Sequence, residues 1–296
     1  MPVRYDIQHR TIYRYRQPVR FGEHRVMFRP RDSHDLRVLS TDLDVSPDSS
    51  VRMIQDPLSN SVALVQPRSH ADKLEIVCSF GIEHAHSNNL ELPLSKSAEL
   101  YPFAYTLDER YDLEHYLRPY HDDPDGALTA WARQFIRSDG PTGTRELLIA
   151  MNQHIRDNLR YLGRDEEGTQ TPAETLQRGS GSCRDFALLM MEASRRLGFA
   201  TRFVSGYLYD PALDAGGTGD SGIVGAGYTH AWLQAYLPGA GWVPFDPTNN
   251  LLGGTELIRV GIARDPSQAA PVSGSWFGET DDYIGMTVTV TVKRRR

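Results

Sequence analysis

The chain has 296 residues, 40% apolar and 24% charged, with a formal net charge of -6 at pH 7. That length and hydrophobic supply suit one large or two modest globular domains and exclude a disordered chain, while 25 Gly and 18 Pro without a period exclude collagen-like or low-complexity sequence. The acidic balance argues against binding to nucleic acid through basic charge, no window approaches the roughly 18 continuous apolar residues of a membrane helix, and two cysteines are too few for a disulfide framework or a four-cysteine zinc site.

The opening Met1-Pro2-Val3-Arg4 has no apolar run behind it, so the sequence reads as a soluble, cytoplasmic protein in a reducing compartment, with no membrane partner and no cofactor. In the first ninety residues, Leu74, Ile76, Cys78, Phe80 and Ile82 alternate with a mostly polar set. That period of two predicts a half-buried strand with Cys78 facing a core. Extended stretches at 5–15, 38–45 and 62–66 complete a β-rich N-terminal domain, 1–88. Pro93, Pro102, Pro119 and Pro124 break any long element in 89–125, which reads as a connector.

From about 126 the period becomes helical. Thr144 is expected to cap a helix with Leu147, Leu148, Met151, Ile155 and Leu159 on one face, and Thr171-Pro172-Ala173-Glu174 combines an N-cap, a proline at the first position and a capping-box glutamate. A third helix starts at Ser182, with Asp185 three residues on, and stops at Gly198. Strands follow at 200–209, 229–237, 241–245 and 286–292, with a Gly-rich stretch at 210–227. Helices followed by an antiparallel sheet make an α+β fold.

Cys183 lies where Gly179-Ser180-Gly181-Ser182 enters the third helix. The first-turn amides and the helix dipole favour negative charge there, so a thiolate nucleophile is expected. The glycines are read as room for a substrate to approach the backbone. Acyl transfer by a thiolate needs an oriented imidazole. His230 on the strand Thr229-His230-Ala231-Trp232 supplies one, and Asp246 at the end of the next strand supplies the acceptor for its second nitrogen. Other motifs fail. Gly219-Asp220-Ser221-Gly222 lacks the His and Asp segments a serine protease needs, Asp210, Asp214 and Asp220 do not form an EF-hand loop, and His84-Ala85-His86 has no third ligand, so no metal is implied. The terminal Lys293-Arg294-Arg295-Arg296 reads as a solvated end.

Four segments in order, 179–187, 198–207, Thr229-His230-Ala231-Trp232 and Phe245-Asp246-Pro247-Thr248, resemble the bacterial transglutaminase-like superfamily. His9 to Tyr15, Arg29-Pro30-Arg31 and Asp56-Pro57-Leu58-Ser59-Asn60 resemble the β-rich N-terminal domain of its bacterial members, although the last departs from that family's usual Phe-Gly before the Asn. The resemblance implies a papain-like catalytic domain over 126–296, with helices packed on an antiparallel sheet and a Cys183, His230, Asp246 triad. It also implies a second oxyanion donor beside the Cys183 amide, either Gln177 or Tyr161. The expected activity is thiol-dependent acyl transfer or hydrolysis of a peptide, protein or small amide substrate. A noncatalytic peptide-binding scaffold and an arylamine N-acyltransferase-like enzyme are the alternatives. Oligomeric state is not legible.

Overall fold

The computed structural model describes residues 2–85, 91–164, 168–214 and 223–295. Residues 219–222, His86 and Arg296 therefore lie outside the described residues. Six strands open the chain: β1 (Val3–Phe21), β2 (His24–Val26), β3 (Leu36–Ser46), β4 (Ser49–Gln55), β5 (Ser61–Pro67) and β6 (Ala71–His84). β1 pairs antiparallel with β6, and β6 with β3, so that Cys78 lies between His9 and Leu43. β2, β5 and β4 form a second antiparallel sheet. The alternation read around Cys78 is the inward face of β6: Leu74, Ile76, Cys78, Phe80 and Ile82 are all buried. β4 has no such alternation, being exposed along almost its whole length, and for that reason gives no signal in the sequence.

The stretch expected to be a connector holds β7 (Leu100–Tyr101) and an eleven-residue helix, α1 (Leu107–Leu117). Thr106 and Glu109 form the capping box that starts α1. This helix buries only Leu113, so its apolar period is faint although its cap is not. The Glu192 carboxylate accepts hydrogen bonds from the amides of Tyr120 and His121 and pairs with Arg195 and Arg196, which ties the following loop down.

The second half comprises α2 (Ala127–Arg133), β8 (Thr142–Gly143), α3 (Thr144–Asn158), β9 (Arg160–Tyr161), α4 (Pro172–Arg178), β10 (Ser180–Gly181) and α5 (Cys183–Arg196). These are followed by β11 (Thr201–Leu208), β12 (Thr229–Leu237), β13 (Gly241–Phe245) and β14 (Leu257–Ala263). The four strands form an antiparallel sheet in the order β13-β12-β11-β14. α5 packs on it through Phe186, Leu189, Met190 and Ala193, within one core that also takes Leu147, Met151 and Ile155 of α3. The caps of α4 and α5 stand where the sequence puts them, whereas Thr144 is the first helical residue of α3 and Gly143 its N-cap.

The chain then returns. β15 (Val272–Ser273) pairs with β2, β16 (Trp276–Phe277) with the end of β1, and β17 (Tyr283–Arg295) with β1 from Arg4 to Tyr15. The strand expected at 286–292 therefore belongs to the first sheet, not to the sheet of the second half. Val290 and Val292 bury against β1, whose outer edge would otherwise be unpaired.

Tyr207, Tyr209, Ile258 and Val260 of the second half share a core with Tyr5, Ile7, Phe80 and Ile82. A polar fastening lies beside this shared core. Asn60, buried at the turn before β5, donates to the Ile262 carbonyl and accepts from the Ile262 amide, while also donating to Asp56. Ser59 takes φ +62°, the left-handed region that glycine enters more easily. The missing Phe-Gly thus leaves the turn formed around a serine in a glycine conformation. Among the described residues no helix is long and apolar enough to cross a membrane.

Candidate active site

Cys183 is the first residue of α5, and the loop before it is built by the chain's own packing. Gly179 ends α4 in the left-handed conformation, with φ +59°. Gly181 lies 2.8 Å, at its would-be Cβ, from the Asp185 side chain, so any larger residue would displace that carboxylate. These two glycines answer to backbone geometry and to Asp185. Asp185 is fully buried; it accepts from the amide and hydroxyl of Ser182 and from the amide of Gln170. It fixes the entry to the helix and, through Gln170, the loop leading into α4.

His230 stands near the start of β12, opposite Gly206 of β11. A Cβ at Gly206 would come 2.1 Å from the Ile258 carbonyl and 2.8 Å from Trp232, so only glycine lets the strands close here. The imidazole stacks on Trp232 and is itself buried. The hairpin from β12 to β13 carries Asp246 back to it. His230 Nε2 and Asp246 Oδ2 are 2.8 Å apart, with both side chains fully enclosed. The second carboxylate oxygen accepts from the Thr248 amide. Burial by itself disfavours the imidazolium, but the Asp246 carboxylate and, to a smaller degree, the Cys183 side chain outweigh it and raise the His230 pKa. Nδ1 is buried. It is the nitrogen left for Cys183, whose side chain adds to the raising of the His230 pKa both by hydrogen bonding and by charge.

Asn249 is a residue that sequence reasoning missed. Its side-chain N–H group donates to Asp246 Oδ2 and to the Val224 carbonyl, while its oxygen accepts from the Val224 amide. The segment it holds lies over the imidazole: a Cβ at Gly225 would stand 2.8 Å from His230 Nδ1. The signal was its place directly after the Asp246-Pro247-Thr248 motif.

The two oxyanion candidates part company. Tyr161 pairs in parallel with Gly181 through β9 and β10, and its ring meets Phe186 of α5. Its phenol is pushed up to about 12, first by burial and next by electrostatic interaction with Cys183, so it lies within electrostatic range of the thiol. Gln177 is exposed in the last turn of α4. Cys78 is remote in the N-terminal unit; burial pushes its thiol up to about 12, the behaviour of an inert core cysteine.

Residues 129–247 match the model of the transglutaminase-like superfamily, and residues 5–83 match that of the bacterial transglutaminase-like N-terminal region. The chain belongs to the transglutaminase-like superfamily and carries the N-terminal region of its bacterial members. Uncharacterized protein ML0607 of Mycobacterium leprae is 25% identical over 292 residues, spanning 97% of this chain and 98% of its own. Uncharacterized protein Rv2569c of Mycobacterium tuberculosis is 33% identical over 116 residues, which is 38% of this chain and 35% of that protein. A crystal structure from Cytophaga hutchinsonii, described as a "Putative Cysteine Protease", superposes with a TM-score of 0.70 at 18% identity, covering 99% of this chain and 91% of that one. It shares the α+β fold, with a β-rich first region followed by helices on a sheet.

Proposed function

We propose that this protein is a thiol enzyme that cleaves or exchanges an amide bond through an acyl-enzyme. The observation that carries the reading is His230, clamped on Nε2 by a buried carboxylate and coupled to the side chain of a cysteine at a helix start. The Cys183 sulfur attacks the carbonyl carbon after His230 Nδ1 takes its proton. The oxyanion that forms is received by the Cys183 amide and the Tyr161 hydroxyl. His230 then delivers the proton to the departing nitrogen, and the carbon–nitrogen bond breaks to leave a thioester. Water or an amine, deprotonated by His230, attacks that thioester, giving an acid or a new amide and restoring the thiol. Asp246 holds the ring and stabilises its charged form.

The test is iodoacetamide at neutral pH followed by mass spectrometry of tryptic peptides. Cys183 is expected to be alkylated well before Cys78. Screening peptide hydrolysis against incorporation of an amine then assigns the acceptor, and Cys183→Ala is expected to abolish both. Faster alkylation of Cys78, or full turnover by a folded Cys183→Ala protein, would refute the mechanism.

A further inference from the structure

The two sheets of the N-terminal unit do not close over one another along their β3 and β4 edges. Val51 and Met53 of β4 are 44% and 51% exposed, although their side chains are large and apolar. Between the two edges opens a cleft of about 560 Å³, lined among others by Leu43, Val51, Met53, Ala63 and Cys78. That volume lies within the range of small-molecule sites, roughly 300–1,000 Å³.

Two cations, Arg29 and Arg31, line this cleft without an anion among the described residues, and of the two only Arg29 also lacks a hydrogen bond. Arg29 makes no hydrogen bond or ion pair among the described residues, and its Nε is buried. Its charge reaches Cys78 within the same cleft. Its neighbours differ: Arg25 pairs with Asp56, and Arg31 donates to the carbonyls of Leu58 and Ser59. A partly buried guanidinium against apolar walls is unfavourable without a partner, and its fork of Nε and Nη donors matches a carboxylate. Asp42 also lines the cleft and is exposed, so a headgroup with several negative charges would be repelled.

We propose that this cleft binds a free monocarboxylate amphiphile, with its alkyl chain between β3 and β4 and its carboxylate on Arg29. A single charge matches Arg29, the one guanidinium of the cleft with no hydrogen-bond acceptor among the described residues, and a flexible chain matches the apolar walls. The site is separate from Cys183 and does not depend on the acyl chemistry proposed there.

Calorimetric titration of the full chain with dodecanoate below its micellar concentration tests the assignment. Saturable binding of one dodecanoate per chain is expected, with slower amide hydrogen exchange in β3 and β4. Arg29→Gln is expected to weaken it roughly tenfold or more, and dodecyltrimethylammonium, which has the same chain with the opposite charge, is expected not to saturate. Met53→Glu changes an exposed strand residue and so keeps the fold, yet it sets a negative charge in the wall and should abolish binding. Circular dichroism checks both variants. Absence of saturable binding, equal binding of the cationic amphiphile, or affinity untouched by both substitutions would overturn the proposal. Saturation of β4 by a capped, extended Val-Thr-Val-Thr-Val peptide, with none by dodecanoate, would overturn it in favour of a peptide strand.

Discussion

The Asp246 carboxylate receives three donors: the imidazole, the Thr248 amide and the Asn249 side chain. Asn249 thereby links the orientation of His230 to the segment at Val224 that covers it. In Asn249→Ala, Asp246 keeps His230 and the Thr248 amide but loses its third donor, and both hydrogen bonds to Val224 are lost. Turnover of whichever acyl substrate the screen yields is expected to fall about tenfold. The pH profile of Cys183 alkylation should also shift, a change that a merely structural residue would not produce. Asp246→Asn should cost more than Asn249→Ala but less than His230→Ala, because an amide still holds the ring while stabilising its charged form poorly. The effects should not add: Asp246→Asn in a Cys183→Ala background is expected to change little.

Among the elements, the turn from Asp56 to Asn60 and strand β14 are joined by the paired hydrogen bonds of one buried amide. Removing that amide strands a buried N–H and a buried C=O on Ile262. Asn60→Ala is therefore expected to lower stability by about 2–4 kcal/mol, read as a lower urea midpoint with an unchanged slope. What the sequence shows of the elements follows the strength of their local chemistry. The Thr171 and Ser182 helix starts and the alternation of β6 were legible because caps and periods are short-range signals. α1 was passed over because prolines surround it and it buries one leucine, although Thr106 and Glu109 marked its start. β4 was invisible because a strand exposed on nearly all sides carries no alternation. The pairing of β17 with β1 depends on which edge is open, a fact of three dimensions. Cys183, His230 and Asp246 could be named from motif order and strand adjacency. Asn249 was marked only by its place after that motif, since its role exists only once the segment at Val224 folds over the ring.

For the molecule as a whole, stability should pass through a maximum near pH 6.5, because its buried histidines pull in opposite directions. Burial holds His9, between Tyr207 and Thr11, down to about 3, and burial also lowers His24 and His84. Unfolded, these groups take up protons as pH falls below about 6.5, so their contribution is present above that pH and is lost progressively below it. His230 is the reverse. Its raised folded value makes its contribution complete below about pH 6.5 and lost as pH rises through that value. Urea midpoints at pH 5, 6.5 and 8.5 should therefore be highest in the middle. Asp246→Asn should flatten the alkaline limb and leave the acid limb unchanged, and His9→Gln should do the converse.

The return of β17 to β1 sets an order of events during synthesis. β1 emerges from the ribosome first and β17 last among the strands, so the first sheet waits with one long edge bare while the rest of the chain is made. Through that interval the edge is open to another nascent chain, since an unpaired strand is a template for intermolecular pairing. Yield in a cell should therefore respond to translation speed and to chaperones that mask strand edges, even for variants whose finished fold is as stable as the parent.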